Sequence, residues 1–277
     1  MEIVFDKVSV IKNKGTKLQK TIINDFNLII KQNDITGVCG GPGKTTIGKL
    51  IPALENINNG TIKVGEFLIT RSKAIKNIND LRFEVGYLFS EPSEFLYNST
   101  VREEIEFGLK YYKYKLERID NRVVDSIKMV GLDTNCLDKN PRELSTIEQK
   151  KVMLAAVLAF NPKVLIFDDF EKGLSKKEKS DLKKLLRMLK DRFNKVIIII
   201  TNDVSFMFDF CNRIIVLKDG MVYLDGGRDL YYDDRLYELV NMPVAVEFVK
   251  DMNNKGHKLE KYTDVKDVLK AVYRDVG

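Results

Sequence analysis

The stretch DITGVCGGPGKTT (residues 34–46) is the point from which this 277-residue chain is best understood. An apolar run ends at Cys39, and apolar residues at helical spacing begin after Lys44. The turn between them holds three glycines: Gly40, Gly41 and Gly43. A strand, a glycine turn and a helix that opens on Lys-Thr form the layout of a phosphate-binding loop. In such a loop backbone N–H groups hold the phosphates, the lysine neutralises them, and the following hydroxyl meets Mg²⁺.

The match to this motif is incomplete. The strict pattern places its first glycine where this chain has Val38, and taking Gly40 instead leaves the loop two residues short. Pro42 also removes one backbone N–H donor from the loop. A glycine turn between a strand and a helix of any α/β protein is the alternative interpretation.

Composition describes an ordinary globular protein, with 44% hydrophobic and 31% charged residues. The net charge of +6 permits an anionic partner such as a nucleotide, nucleic acid or lipid headgroup without requiring one. The lysines are scattered along the chain, which favours a solvated surface over a basic binding arm.

Cysteine and histidine usage excludes several kinds of site. Cys39, Cys136 and Cys211 are odd in number and lack metal-site spacing, so we expect reduced, buried thiols. His257 is the single histidine and stands in a polar stretch, which indicates a surface loop and argues against a His-based triad or His-rich metal site. The longest apolar run, residues 196–200, is too short to span a bilayer, so no membrane span of the chain's own is expected.

The sequence pattern of the N-terminal part predicts strands separated by turns. Strands are predicted at residues 2–10, 22–30 and 35–39, in two short segments within 61–69, and at 83–91. Pro52 is expected to end the helix that follows the glycine turn.

The sequence patterns of the middle and C-terminal parts predict helices around buried strands. Helical patterns cover residues 100–130, with Thr100 as N-cap, and Ser145 with Glu148 predicts a capping box for the helix through 160. A further helix is predicted by the apolar face of Leu182, Leu185, Leu186 and Leu189, and the pattern is helical again over residues 242–277. Residues 163–169 and 196–203 are apolar strands that end in polar residues, and Asp219-Gly220 predicts a hairpin turn.

Strands that alternate with helices and end in polar side chains predict an α/β fold with its site at the carboxyl ends of parallel strands. We expect one domain over residues 1–240 with a mixed parallel core sheet and an N-terminal antiparallel β subdomain. Within it a helical subdomain occupies about residues 92–150, and residues 241–277 form a small C-terminal helical extension.

Seven segments in this order carry a family resemblance. They are GVCGGPGKTT (37–46), VGYLFSEP (85–92), TVREEIEFG (100–108), PRELSTIEQK (141–150), VLIFDDFEKGLS (164–175), ITND (200–203) and KDGMVYLDG (218–226). The chain resembles the ATP-binding subunit of ABC transporters, and in particular the ATPases of energy-coupling factor (ECF) transporters. The resemblance therefore implies a P-loop NTPase.

The resemblance implies a partnership. Two such subunits sandwich two ATP molecules, each site pairing one subunit's phosphate loop with the other's signature segment. The expected partners are thus a second ABC ATPase subunit and a transmembrane coupling subunit, with no nucleic acid. The expected location is the cytoplasm, peripheral on the inner face of the cell membrane.

It also implies roles for individual residues. Asp169 would occupy the place of the catalytic base and Asn202 that of the switch histidine, while Thr45 and Asp168 would hold Mg²⁺. The remaining nucleotide-binding positions would be Gly40, Gly41, Gly43, Lys44, Thr45, Thr46, Ser90 and Ser145.

Several of these positions depart from the family pattern. Asp169 replaces a glutamate and Asn202 a histidine, so the base is shorter and the switch position cannot carry positive charge. Ser90 replaces a glutamine. In the signature segment, Thr146 and Ile147 replace glycines and Glu148 replaces a glutamine.

Together these departures predict a chain that retains weak Mg-ATP binding but has an impaired hydrolytic site, as the degenerate half of a heterodimer. One alternative is a non-hydrolysing structural or regulatory partner of an active ATPase. Another is a nucleic-acid-associated P-loop ATPase, which the absence of a basic segment interleaved with aromatics disfavours. A further alternative makes Asp168 and Asp169 simple helix caps.

Overall fold

The computed structural model of the chain describes residues 1–32, 34–72, 75–111, 118–257, 259–262 and 265–275. Its central sheet has the strand order β10-β9-β3-β8-β7-β6. Pairing is parallel from β9 to β6, and β10 joins β9 as an antiparallel hairpin partner. The strands are β3 (Ile35–Gly40), β6 (Val85–Leu88), β7 (Val164–Asp168), β8 (Val196–Ile200), β9 (Arg213–Lys218) and β10 (Met221–Gly226).

The N-terminal part forms a separate antiparallel sheet with the order β2-β1-β4-β5. Its strands are β1 (Ile3–Lys12), β2 (Lys20–Ile30), β4 (Asn59–Val64) and β5 (Phe67–Thr70). Phe5 and Phe26 meet edge to face across β1 and β2, with ring centroids 5.4 Å apart. The predicted antiparallel β subdomain and the predicted mixed core sheet are both confirmed.

Helices cover both faces of the central sheet. They are α1 (Lys44–Leu50), α2 (Ile78–Glu84), α3 (Val101–Tyr111), α4 (Ile119–Met129), α5 (Thr146–Ala159), α6 (Lys176–Phe193), α7 (Val204–Phe208), α8 (Val244–Asn254) and α9 (Val265–Asp275). The part of the chain that is described contains no helix long and apolar enough to cross a membrane.

The alternating residues of β8 show how the core is divided. Ile197 and Ile199 point into an apolar cluster shared with α3, α4, α5 and α6. Ile198 and Ile200 point into a second cluster shared with α1 and the antiparallel sheet. Because both faces are covered, β7 and β8 are apolar throughout and fully buried, as their sequences predict.

The predicted helix ends are largely confirmed. Glu103 N–H donates to Thr100 Oγ1 over 3.2 Å, and α1 ends at Leu50, just before Pro52. Ser145 and Glu148 form the predicted capping box of α5. An equivalent box at the start of α6, formed by Ser175 and Glu178, was not predicted although it follows the same rule.

The strand predicted at 83–91 is wrong at both ends. Residues 83 and 84 belong to the end of α2, and β6 is restricted to Val85–Leu88. Neither α2 nor α7 was predicted, because helices of seven and five residues show a period of 3.6 only weakly and no glycine turn marks their start, as one does for the equally short α1. The predicted helix over 100–130 is observed as α3 and α4, with residues 112–117 outside the described residues.

The C-terminal segment is helical, as predicted. α8 and α9 enclose a small cluster of their own, made of Val249, Leu259, Val268 and Ala271. Val246 of α8 lies in the main core, so α8 also packs on the larger part of the chain. The boundary at residue 241 and the limits of the helical subdomain stay predictions.

Candidate functional site

A cleft of about 510 Å³ lies at the carboxyl ends of β3, β7 and β8. It collects residues from the start of α1, from the loops after β7 and β8, and from α6. They are Pro42, Gly43, Lys44, Thr45, Thr46, Asp169, Glu171, Lys172, Lys179, Thr201, Asn202 and Asp203. The edge of a parallel sheet where its strands end is the expected place for a ligand site. The cleft thus brings together most of the residues predicted from sequence.

The loop that opens the cleft is short. β3 ends at Gly40 and α1 begins at Lys44, which leaves residues 41–43 as the connection. Gly40 and Gly43 both adopt left-handed conformations, with φ of 97° and 106°. A Cβ on Gly40 would lie 2.5 Å from the carbonyl oxygen of Leu217, so only glycine fits there.

The loop's polar groups are largely used by the protein itself. Gly41 N–H donates to the carbonyl of Leu217 over 2.7 Å, and Gly40 N–H donates to Oδ1 of Asn202 over 3.0 Å. Lys44 Nζ donates to the carbonyls of Gly40 and Gly41 over 2.6 and 2.9 Å. Burial lowers the pKa of the Lys44 ammonium from its usual value.

Thr45 and Asp168 are brought together across 123 residues of sequence. Thr45 Oγ1 donates to Asp168 Oδ1 over 3.2 Å at the start of α1. Asp168 is 8% exposed, and its burial raises the pKa of this carboxyl group despite two hydrogen bonds that act in the opposite direction. A hydroxyl and a carboxylate are the oxygen donors that Mg²⁺ prefers.

This donor set fits Mg²⁺ better than a metal that needs an all-protein cage. Among the described residues no group of three or more His, Cys, Asp or Glu side chains could hold an ion. Mg²⁺ is commonly held by one or two protein oxygens together with water and substrate phosphates. Thr45 and Asp168 would supply those protein oxygens.

Asp169 is paired within the chain. Its Oδ2 accepts a hydrogen bond from Lys172 Nζ over 2.7 Å, and its backbone adopts a φ of 51°. That hydrogen bond raises the pKa of the Lys172 ammonium. The N-cap of the next helix is Ser175, so neither Asp168 nor Asp169 caps that helix.

The remaining predicted residues occupy different places. Asn202 lies in the cleft, where its side chain is tied to the loop at Gly40. Ser90 is half-buried just after β6 and is not one of the residues lining the cleft. Ser145 is exposed at the start of α5, outside the lining, and its Oγ donates to Glu148 Oε2 over 2.6 Å. Hydrogen bonds from Ser145 lower the pKa of the Glu148 carboxyl group.

Several residues of the site were missed by sequence reasoning. Glu171 is 2% exposed, accepts a hydrogen bond from the hydroxyl of Thr201, and has a pKa raised by burial. Lys179 of α6 reaches the cleft and bonds Asp203 over 2.7 Å. Glu171 and Thr201 lie within a few residues of predicted strand ends, which was a weak signal, whereas Lys179 offered no signal beyond a helical pattern.

Lys150 joins α5 to the loop after β7. It is 4% exposed, and its Nζ donates to the carbonyls of Phe170 and Lys172 over 2.8 and 2.6 Å. Burial lowers the pKa of its ammonium group. Lys150 thereby holds the segment that carries Asp169 and Lys172.

Replacing Lys150 by methionine is expected to lower the free energy of unfolding by about 2 kcal/mol, because one buried and one partly buried carbonyl lose their donor. Removal of a buried charge offsets part of the loss. The melting temperature should fall by roughly 4–8 °C in a thermal unfolding experiment. Lys139→Met, at an exposed lysine, should change the stability by no more than about 0.5 kcal/mol. Equal stability of the two variants would contradict the role of Lys150.

The chain matches the sequence profile described as "ABC transporter" over residues 23–171. The energy-coupling factor transporter ATP-binding protein EcfA2 of Enterococcus faecalis is 28% identical over 274 residues, covering 97% of this chain and 95% of that protein. EcfA2 of Staphylococcus aureus is 28% identical over 281 residues, covering 99% and 98%.

Solved structures resemble the fold over most of its length. The structure of cbiO1 from Clostridium perfringens, part of the ABC transporter complex cbiONQ, has a TM-score of 0.74 at 26% identity and covers 92% of this chain and 96% of that one. The ATP-binding cassette MJ0796 bound to ADP and Pi has a TM-score of 0.73 at 24% identity and covers 82% of this chain and 98% of that one. At this identity the comparison shows a similarity of fold alone. The predicted fold class is thereby confirmed. Because the family profile matches more than half of its length and its fold has the same architecture, the chain belongs to the ABC transporter family.

Proposed function

We propose that this chain is the ATP-binding subunit of an ECF-type ABC transporter and acts as the catalytically degenerate half of an ATPase heterodimer. The observation that carries the proposal is the pairing of Thr45 Oγ1 with Asp168 Oδ1, next to Lys44 at the start of α1. The names of the relatives, energy-coupling factor transporter ATP-binding proteins, support the same assignment.

ATP and Mg²⁺ are the proposed ligands of the cleft. Lys44 supplies the positive charge for the phosphates, and Thr45 with Asp168 supplies the oxygens for the metal. Gly40, Gly41, Gly43 and Thr46 complete the phosphate site. Lys44 already bonds two carbonyls of its own loop, so nucleotide must compete with these contacts and binds weakly.

Hydrolysis at this site is proposed to be impaired. A general base must reach its water over about 2.6–3.2 Å, and the Asp169 carboxylate is both short and held by Lys172. The amide of Asn202 is neutral and is tied to Gly40, so it adds no charge at the terminal phosphate. Ser90 stands away from the cleft lining.

A second ATPase subunit with intact motifs is the proposed partner, reached through the exposed Ser145 at the start of α5. A transmembrane coupling subunit is the second partner. These partners would hold the chain at the cytoplasmic face of the cell membrane, with residues 1–240 as nucleotide-binding domain and 241–277 as extension.

Millimolar Mg-ATP is expected to stabilise the isolated chain by about 1 kcal/mol, because ligand at a few times its Kd adds RT ln(1 + [L]/Kd). Thermal unfolding should show this as an increase in melting temperature of roughly 2–4 °C. Lys44→Ala should show no increase, since it lacks the phosphate-neutralising charge. Lys163→Ala is the control, because Lys163 pairs with Glu84 next to the amino end of β7, away from the cleft.

A melting temperature that does not respond to Mg-ATP in the parent chain would overturn nucleotide binding. The function would then be that of a structural or regulatory partner which keeps the fold and only docks. The hydrogen bonds that already engage the loop, from Gly40 to Asn202 and from Lys44 to the loop carbonyls, favour this as the second candidate.

A further inference from the structure

Tyr87 of β6 is a buried tyrosine whose hydroxyl reaches the candidate metal site. It is 8% exposed, and its hydroxyl donates to Asp168 Oδ2 over 2.7 Å. The other carboxylate oxygen, Oδ1, accepts from Thr45. Asp168 is therefore held at both oxygens, by one hydroxyl from α1 and one from β6.

The position of the Tyr87 ring is closely defined. Its neighbour in α1 is Gly48, where an added Cβ would lie 3.1 Å from the ring and 3.2 Å from the hydroxyl oxygen. The ring of Phe89 lies 4.7 Å away, centroid to centroid. Ring packing of this kind would serve a phenylalanine equally well, so the feature particular to tyrosine is the hydrogen bond to Asp168.

We propose that Tyr87 is a positioning residue that orients the Asp168 carboxylate toward a Mg²⁺ ion held with nucleotide in the cleft. This role presupposes that the chain binds Mg-nucleotide as proposed above. A carboxylate that serves a metal is oriented by its own hydrogen-bond partners, and removal of such a partner typically lowers metal affinity 10–100-fold. Tyr87 fixes the carboxylate plane so that Oδ1 faces Thr45, and each carboxylate oxygen would keep a lone pair for the metal site.

The test is the Mg²⁺ dependence of ATP binding to the full chain, measured with and without Tyr87→Phe. The substitution removes one oxygen atom and keeps the ring, and thermal unfolding without ligand shows that the variant is folded. We expect the Mg²⁺ concentration for half-maximal ATP binding to rise about 10–100-fold. The Kd for ATP in EDTA should change by less than a factor of about two, because the carboxylate acts through the metal.

Tyr232→Phe is the matched control. Its hydroxyl donates over 2.6 Å to the carbonyl of Tyr262 in the C-terminal segment, so this variant also loses one hydrogen bond but leaves the cleft unchanged. Its Mg²⁺ dependence should equal that of the parent chain.

Two results would count against the inference, and they differ. A parent chain that binds no Mg-nucleotide overturns the proposed function and this role with it. A parent chain that binds Mg-nucleotide while Tyr87→Phe has the same Mg²⁺ dependence, or loses ATP affinity equally in EDTA, overturns the role of Tyr87 alone.

Discussion

Inserting two residues between Gly40 and Gly41 is expected to raise the affinity of the chain for Mg-ATP about 10–100-fold. The insertion restores four residues between the first glycine and Gly43, the spacing of the full phosphate-binding loop. A longer loop can turn additional backbone N–H groups toward the phosphates. A hydrogen bond to a charged group contributes about 1.5–3 kcal/mol, and 1.4 kcal/mol is a factor of ten in affinity.

The insertion also removes a competing interaction. At present Lys44 Nζ bonds the carbonyls of Gly40 and Gly41, because the short connection holds them close to the start of α1. The inserted residues move the carbonyl of Gly40 away from Lys44, so that its ammonium group loses one of its two competing partners and is more available for phosphate.

Isothermal titration with Mg-ATP measures the change. The same two residues inserted after Gly15 provide the control, since Gly15 lies in the exposed turn between β1 and β2 with no atom within 4 Å of an added Cβ. A folded insertion variant with the affinity of the parent chain would show that the length of the loop does not limit binding.

The second large effect concerns turnover. Asp169→Glu combined with Asn202→His is expected to leave ATP hydrolysis by the isolated chain close to background, although both groups named in the family pattern are then present. Loss of a single preorganised group typically lowers the rate on the order of 10²–10³-fold. Ser90, Thr146 and Ile147 would still depart from the pattern, so the deficits that remain multiply.

The structure adds a specific obstacle. Lys172 Nζ lies 2.7 Å from Asp169 Oδ2, and a glutamate at this position would meet the same cation. A carboxylate oxygen that already accepts a hydrogen bond from lysine is less free to turn toward an attacking water and to accept its proton.

Steady-state phosphate release measures the turnover. The triple variant that adds Lys172→Ala separates the effect of this ion pair from that of the other departures. Turnover of about 10 s⁻¹ by the double variant, a typical value for enzymes, would show that Asp169 and Asn202 alone limit hydrolysis and would contradict a role for the other departures.

The features that could be predicted share a common cause. The capping box of Ser145 and Glu148, the end of α1 before Pro52 and the buried runs of β7 and β8 were all correctly expected. Each arises from residues within one helical turn or one strand, where side-chain periodicity and backbone chemistry act directly. The five-residue α7 and the seven-residue α2 escaped prediction, because a short helix shows few periods and neither has a start signal such as the glycine turn before α1.

The candidate site also contains features that the sequence predicted and contacts that it did not. Its glycine turn and its two adjacent carboxylates could be recognised in the sequence, since the glycines precede a Lys-Thr pair and the acids follow a buried strand. The hydrogen-bond partners of these groups could not be recognised in the same way. Asn202 bonds Gly40 across 162 positions and Tyr87 bonds Asp168 across 81.

The sequence by itself was thus enough to predict the helix after the glycine turn, the buried parallel strands and the family of this protein. The tertiary structure alone identified the hydrogen-bond partners of four residues of the site, Lys44, Asp168, Asp169 and Asn202. The reason is that the order β3-β8-β7-β6 and the packing of α1 on the sheet set these contacts. That order results from burying both faces of the whole sheet at once, and no short segment encodes it.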